Sequence, residues 1–168
     1  MPKIIQNLER KLIEEARSQI ETQGYGAVTI RSVAKACGVG VGTVYNYFSS
    51  KEALLATYML QDWNRCVDAI NAVSTYSDRP EPVLRCIFDQ LRAFDDRHKA
   101  VIRDEAAGAA FAASFGRYHE LLRSQLASPL RKFCDSDFAA RFIAEALLTW
   151  TVEGTDFEEI QGMIGKLF

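Results

Sequence analysis

Apolar residues recur at intervals of three and four positions along most of the chain, the spacing that places side chains on one face of an α-helix. No segment shows the sustained alternation of apolar and polar residues that marks a strand, so the pattern predicts an all-α fold without a sheet. The predicted helices cover about residues 4–23, 30–37, 41–48, 50–73, 82–96, 98–107, 114–133, 136–153 and 157–167.

Residues 29–48 predict two short helices joined by a tight turn. Thr29 is a good N-cap for the first helix, and Gly38 is placed to end it in the left-handed conformation. Small apolar residues on both sides of the turn would hold the two helices at a fixed angle; they are Val33, Ala34, Val39 and Val44. Such a helix-turn-helix leaves its second helix free to project outward.

The second of these helices carries side chains that suit contact with DNA. The small residues Val41 and Gly42 at its start would let the backbone approach base edges in a major groove. Hydroxyl and amide groups that can bond to phosphate oxygens follow, on Thr43, Tyr45, Asn46 and Tyr47. Lys51 lies in the first turn of the next helix, where a cation and free backbone N–H groups can hold one phosphate together.

The same cluster of aromatic residues has an alternative interpretation as ordinary core. Phe48 fits that interpretation. Tyr45 and Tyr47 do not both fit it, because they cannot face inward on one helix together with Val44 and Phe48.

The charge distribution supports a nucleic-acid partner, although the net charge of −2 does not. Residues 1–51 carry seven basic and four acidic side chains, a net charge of +3, and the remaining residues carry −5. A basic end on an acidic body is typical of a protein that presents one face to phosphates.

The stretch from Thr29 to Leu54 closely resembles the N-terminal domain of the TetR family, the tetracycline-repressor-like regulators. The matching residues are Thr29, Val33-Ala34, Gly38-Val39, Gly42-Thr43-Val44-Tyr45-Asn46-Tyr47-Phe48 and Ser50-Lys51-Glu52-Ala53-Leu54, without a gap. Gly40 departs from the pattern, because the family usually has serine or another capping residue there. With Gly42, it leaves the start of the recognition helix locally soft.

The resemblance implies a function and a role for each matched residue. The protein would be a homodimeric repressor of transcription that binds double-stranded operator DNA and is released by a small-molecule effector. Arg31 would reach bases or backbone, Val41 and Gly42 would lie nearest the bases, and Asn46 would be a variable contact. Phosphate contacts would come from Thr43, Tyr45, Tyr47 and Lys51, and Thr29 is also assigned to the DNA-binding surface.

The C-terminal part predicts a dimer surface. The helix at 136–153 is apolar on two faces, so we expect it to be buried on two sides, by its own domain and by a second subunit. The last helix carries a further apolar stripe. The residues assigned to the dimer interface are Phe138, Phe142, Ala146, Trp150, Phe157, Ile160 and Ile164. A monomer core is the alternative interpretation of these stripes.

Large aromatic residues in the C-terminal part predict a pocket for an apolar or planar effector. The residues assigned to it are Trp63, Phe88, Phe111, Phe115 and Trp150. Plain core packing explains each of them singly. His98 and His119 have no ligand-like spacing and are expected to be surface or capping residues.

We therefore expect a helix-turn-helix DNA-binding domain at 1–50 and a helical effector-binding and dimerisation domain at 51–168. We expect a cytoplasmic protein without cofactor, because the chain lacks a signal peptide, a membrane span and metal-ligand spacing. An enzyme is disfavoured, since no nucleophile with a base, no phosphate loop and no paired carboxylates occur. A helical adaptor that binds another protein is the remaining alternative.

Overall fold

The computed structural model describes residues 7–167, without the side chains of residues 113–116 and 167. Eight α-helices follow one another in this part of the chain, and it contains no strand, which confirms the predicted all-α fold. They are α1 Leu8–Gln23, α2 Ile30–Cys37, α3 Val41–Tyr45, α4 Lys51–Tyr76, α5 Pro80–Ile102, α6 Glu105–Ala127, α7 Asp137–Val152 and α8 Phe157–Ile164. Short 3₁₀ turns lie at Tyr25–Ala27, Ser128–Phe133 and Gly165–Leu167.

The middle of the chain differs from the sequence prediction. Helix α5 continues through the predicted break at residue 97, and α6 contains the whole Ala/Gly-rich tract at 106–116. The break between the two helices lies instead at Asp104, whose Oδ1 accepts a hydrogen bond from the N–H of Ala107 at 2.9 Å and so caps α6. The predicted helix at 114–133 is shorter than expected: α6 ends at Ala127, and Pro129, which lacks an N–H and cannot continue an α-helix, lies in the 3₁₀ turn that follows.

The chain divides into two compact units, and neither is a single continuous segment. The first unit contains the residues up to Gln61 together with His98–Phe111, and the second contains Asp62–Arg97 and the residues from Ala112 onward. Packing therefore changes from one unit to the other within helices α4, α5 and α6. The predicted division into a DNA-binding domain at 1–50 and an effector-binding and dimerisation domain at 51–168 concerns function and does not coincide with these two units. It stays a prediction.

The core of the first unit joins α1 to the helices that follow it. The predicted stripe of α1 is buried at Leu8, Leu12, Ala16 and Ile20. Val101 and Ala107, from the junction of α5 and α6, are buried in the same core. His98 is also buried there, with its ring 4.7 Å from that of Tyr58, so its assignment to the surface was wrong. The sequence pattern did not predict that the junction of α5 and α6 packs in this core, because the junction is distant in the chain from helices α1 to α4.

Helix α7 has the two apolar faces that its sequence predicts, but only one lies in the core of the second unit. Ile143 and Leu147 are fully buried, whereas Phe138, Phe142 and Trp150 are exposed. The neighbouring α8 turns its own stripe inward, and Phe157, Ile160 and Ile164 are buried in the same core.

This packing corrects the assignment of Phe157, Ile160 and Ile164 to a dimer surface. Their side chains complete the core of their own unit, where Phe88 contacts Phe157 edge-on with ring centroids 5.4 Å apart. A period of 3.6 shows that a helix has a buried face, but it does not show which molecule buries it.

Candidate nucleic-acid interface

A capping box fixes the start of α2 and ties it to α1. Thr29 Oγ1 accepts from the N–H of Ser32 at 2.9 Å, and Ser32 Oγ accepts from the N–H of Thr29 at 3.0 Å. Ser32 Oγ also donates to Oε1 of the buried Gln19 at 2.6 Å, and Gln19 Nε2 donates to Glu15 Oε1 at 2.8 Å. This chain of hydrogen bonds holds α2 in one position on α1.

Gly38 makes the turn between α2 and α3. It has φ +68°, the left-handed region that costs other residues conformational energy. The N–H of Val39 donates to the carbonyl of Ala34 at 3.0 Å, which closes the end of α2 in the manner of a Schellman motif. Val33 and Val44, on either side of the turn, are fully buried and hold α2 and α3 together.

Helix α3 presents one face to the core and another to solvent. Val44 and Phe48 are buried, while the side chains of Tyr45 and Tyr47 are 53% and 48% exposed. Asn46 and Gly42 are exposed as well. A side chain added at Gly42 would meet no atom within 4 Å, so this side of α3 is open for close approach.

The N-terminus of α3 has only backbone support. Gly40 is its N-cap residue, and the N–H of Thr43 donates to the carbonyl of Gly40 at 2.9 Å. Glycine has no side chain to accept a hydrogen bond from the first turn. Val41 and Thr43 are half-buried beside it.

Helix α2 adds positive charge beside α3. Arg31 and Lys35 are exposed and lie one helical turn apart. Within the described residues neither forms an ion pair, whereas Arg10 and Arg17 on α1 pair with Glu14 and Glu21. The charges of Arg31 and Lys35 therefore remain available to an anionic partner. The sequence pattern did not assign Lys35 to the site, and its charge enters only the net charge of residues 1–51.

Lys51 has a partner inside the protein. Its Nζ donates to the carbonyl oxygen of Tyr25 at 2.5 Å and lies 3.5 Å from the centroid of the Tyr25 ring. Burial lowers the pKa of Lys51, although the nearby carboxylates of Glu52 and Asp104 act in the opposite direction. An ammonium group has three donors. The contact with Tyr25 uses one of them, so a phosphate role for Lys51 stays a prediction.

Glu52 completes the polar cluster at the start of α4. Its Oε1 accepts from the hydroxyl of Tyr25 at 3.2 Å. The pKa of Glu52 is lowered, first by a hydrogen bond from its own backbone N–H and also by Ser50 and Tyr25. Ser50 caps α4, because its Oγ accepts a hydrogen bond from the N–H of Ala53 at 3.1 Å.

All residues assigned to DNA contact thus lie in the first unit, at α2, α3 and the start of α4. Thr29, Arg31, Gly42, Tyr45, Asn46 and Tyr47 are exposed, and Val41, Thr43 and Lys51 are half-buried. These exposed residues offer hydroxyl, amide and guanidinium donors, which suit contact with a phosphate backbone and base edges. Contact with DNA itself remains a prediction.

The residues assigned to an effector pocket do not share one environment. Trp63 and Phe88 belong to the core of the second unit, where Trp63 Nε1 donates to Gln125 Oε1 at 2.7 Å. Phe111 packs against the core of the first unit, and Trp150 is exposed. The side chain of Phe115 lies outside the described residues. Core packing accounts for Trp63 and Phe88 without a ligand.

The second unit has a surface pocket of about 330 Å³ on the exposed side of α7. Its lining residues are Arg123, Phe138, Arg141, Phe142 and Glu145. Phe138 and Phe142 were both assigned to the dimer interface.

Across the described residues, no group of His, Cys, Asp or Glu is arranged to hold a metal ion. None of the described helices is long and apolar enough to span a membrane.

Fold and surface together define an all-α protein with an N-terminal helix-turn-helix. The sequence profile of the bacterial regulatory proteins of the tetR family matches residues 12–58. BetI of Rhizobium meliloti is 32% identical in an alignment that covers 86% of this chain and 75% of BetI. The chain therefore belongs to the TetR family of transcriptional regulators.

Other relatives match over shorter stretches. YuxN of Bacillus subtilis is 31% identical over 77 residues, which cover 46% of this chain and 26% of YuxN. For UidR of Escherichia coli the match spans 29% of the relative's length. These shorter matches give no information about the remainder of those relatives.

Solved structures agree with the fold over almost the whole chain. SCO7518 of Streptomyces coelicolor has a TM-score of 0.72 at 17% identity, covering 94% of this chain and 96% of its own. Thermus thermophilus FadR, a TetR-family repressor solved with lauroyl-CoA, has a TM-score of 0.65 at 23% identity, covering 95% and 92%. At these identities the similarity concerns the fold.

Two glycines of the site should respond in opposite directions to substitution. Gly38→Ala should lower the free energy of unfolding by about 1 kcal/mol, because alanine is strained at positive φ. Gly40→Ser should raise it by about 0.5 kcal/mol, because serine can cap α3 and restricts the unfolded chain. Urea unfolding followed by circular dichroism measures both.

Space is not the cause of this difference. A Cβ at Gly38 would meet no atom within 4 Å, and one at Gly40 would lie 3.8 Å from Thr43 Oγ1. Equal effects of the two substitutions would contradict the assigned roles.

The polar cluster at Glu52 predicts a loss of stability in acid. Because the folded pKa lies below the ordinary value of 4.5, Glu52 stabilises the fold above that value, and this contribution disappears as the pH falls through the folded pKa. Glu52→Gln should therefore be less stable than the wild type at pH 7, and the difference should shrink toward pH 3. Urea unfolding across this range tests it, with Glu153→Gln at an exposed position as the control. A difference that stays constant with pH would refute the prediction.

Proposed function

We propose that the protein is a homodimeric repressor that binds operator DNA through α2 and α3 and is released by a small-molecule effector. The observation that carries this proposal is the outward side of α3 and of the turn after it, where Tyr45, Asn46 and Tyr47 are exposed. Val44 and Phe48, the residues on either side of this segment, are buried in the core and hold it in place. A recognition helix must be held rigidly by the rest of the protein, because a side chain that is misplaced cannot form its hydrogen bond to the DNA.

The proposed contacts divide into two kinds. Val41 and Gly42 would lie nearest the base edges, with Gly42 allowing close approach of the backbone, and Thr43 would contact a phosphate. Tyr45, Tyr47 and Arg31 would reach the phosphate backbone or adjacent bases, as would Lys51 through its remaining N–H donors. Phosphate contacts set the position and the salt dependence of binding, and base contacts set the preference for sequence.

Dimerisation is proposed because a single short recognition helix covers few base pairs. Two copies related by a twofold axis would place their α3 helices in successive major grooves, about 34–36 Å apart. Phe138, Phe142, Ala146 and Trp150 on α7 form the surface that a second copy would cover.

The proposed effector is a small apolar or planar molecule bound in the second unit. Thermus thermophilus FadR was solved with lauroyl-CoA, which is the basis for extending ligand control to this chain. The candidate contacts within that unit are Trp63, Phe88 and Trp150. Helix α4 belongs to both units, so it is the natural element to link ligand binding to DNA release.

Binding to DNA from the region upstream of the gene, followed by fluorescence anisotropy, tests the proposal. The wild type should bind one sequence over unrelated DNA. Arg31→Gln and Tyr47→Ala should each weaken binding about 10- to 100-fold, since each removes a contact worth about 1–3 kcal/mol. If Arg31 contacts a phosphate, Arg31→Gln should also reduce the slope of log K against log salt by about one.

Arg79→Gln is the matched control, because Arg79 is an exposed arginine of the second unit paired with Glu81 at 3.1 Å. It removes the same charge far along the chain from α2 and should bind DNA like the wild type. A folded wild-type protein that binds none of the upstream DNA would favour the adaptor alternative instead.

A further inference from the structure

Tyr25 is buried in the core of the first unit, and the backbone on both sides of it is fixed. Before it, Gly24 has φ +81°, and its N–H donates to the carbonyl of Ile20 at 2.9 Å, which closes the end of α1. After it, the N–H of Val28 donates to the carbonyl of Tyr25 at 3.3 Å. The fold therefore holds the ring and the carbonyl of Tyr25 in place before any ligand binds.

The hydroxyl end of the same ring is fixed as well. It donates to Oε1 of Glu52, in the first turn of α4, at 3.2 Å. Burial raises the pKa of Tyr25, and so do the charge and the hydrogen bond of Glu52, so the hydroxyl keeps its hydrogen at neutral pH. The ring of Tyr25 is thus attached to the start of α4.

Two groups of Tyr25 hold the ammonium of Lys51. The carbonyl oxygen accepts an N–H at 2.5 Å, and Nζ lies over the ring, 3.5 Å from its centroid, where the face of an aromatic ring attracts a cation. A surface lysine normally samples many rotamers of its four-carbon stem. Lys51 instead has its ammonium at one defined point, while the residue as a whole stays half-buried.

A lysine that is fixed in advance binds a phosphate at lower cost. A flexible side chain loses the entropy of its rotamers on binding, whereas a side chain that is already ordered avoids this loss. The contact with Tyr25 leaves donors for a phosphate. Its carbonyl accepts one of the three N–H groups of Lys51, and its ring attracts the charge as a whole.

A second tyrosine of the same core offers a direct comparison. Tyr58 is 4% exposed and Tyr25 is 5% exposed, so both rings are buried to the same degree. Tyr58 also has a cation over its ring, because Cζ of Arg17 lies 5.7 Å from the centroid. Arg17 is on α1 and pairs with Glu21, outside the proposed DNA contacts. The two tyrosines therefore differ in which cation they hold.

We propose that Tyr25 is a positioning residue for DNA binding, which holds the ammonium of Lys51 where a phosphate of the operator can accept from it. The inference rests on the DNA binding in the proposed function. It adds a buried residue that acts through Lys51 and to which the sequence pattern gave no role.

Nuclear magnetic resonance of the full chain with isotope-labelled lysine tests the contact without DNA. The ε-methylene signal of Lys51 is the one that disappears in Lys51→Met. Protons above the face of an aromatic ring resonate upfield. This signal should therefore lie further upfield in the wild type and in Tyr25→Phe than in Tyr25→Leu.

Fluorescence anisotropy with the upstream DNA then tests the role of the contact. Tyr25→Leu should weaken binding about two- to tenfold, the loss expected when one lysine side chain must be ordered on binding. Tyr25→Phe keeps the ring and should restore binding. Lys51→Met should weaken binding more than Tyr25→Leu and reduce the slope of log K against log salt by about one. In the Lys51→Met background, Tyr25→Leu should have no further effect.

Tyr58→Leu is the matched control. It removes a ring of equal burial from the same core, so it should lower stability in urea unfolding as Tyr25→Leu does, yet leave DNA binding unchanged. If Tyr25→Leu does not fold, pentafluorophenylalanine at position 25 keeps the shape of the ring and reverses the charge of its face. It should then weaken DNA binding relative to Tyr25→Phe.

The outcomes separate this inference from the proposed function. The inference is wrong if the Lys51 signal has the same position in the wild type and in Tyr25→Leu. It is also wrong if Tyr25→Leu binds DNA as tightly as the wild type, if its loss persists in the Lys51→Met background, or if Tyr58→Leu weakens binding equally. In each of these cases DNA binding by α2 and α3 still stands. A wild type that shows the upfield signal but binds no upstream DNA would overturn the proposed function, and the inference with it.

Discussion

The packing of α3 against α2 and α1 is the constraint on which the proposed DNA-binding surface depends. Val44 and Phe48 enter the core of the first unit and leave the intervening Tyr45 and Tyr47 no position except outside. A five-residue helix is too short to be stable alone. Its orientation therefore comes from these two buried side chains and from the turn at Gly38.

Hydrogen bonds then limit how far the pair of helices can shift. The link from Thr29 through Ser32 to Gln19 fixes α2 on α1, and Gln19 is buried, so breaking it would leave a polar group without a partner. The start of α3 is held less firmly than the rest of the helix pair, because Gly40 supplies no side-chain cap. The residues proposed to contact bases, Val41 and Gly42, lie in this first turn of α3.

In the second unit, helix α7 has two apolar faces. One face is buried in the core of its own chain and the other is exposed. Helix α7 is apolar on both, and the structure separates them into Ile143 and Leu147 inside and Phe138 and Phe142 outside. Helix α8 contributes Phe157, Ile160 and Ile164 only to the inside. The polar group at Glu145, which lies beside the outer face, has its acceptors satisfied by neighbours.

Local rules were enough for the helices and for the turn that defines the family. Capping by Thr29, the left-handed Gly38 and the apolar spacing of α1 act within a few residues, so the amino-acid order reveals them directly. The burial of Val101 and Ala107 at the junction of α5 and α6, the burial of His98 and the inward face of α8 depend on segments far apart in the chain. Periodicity carries no information about which of two apolar stripes meets which neighbour, and only the packed tertiary structure decides that.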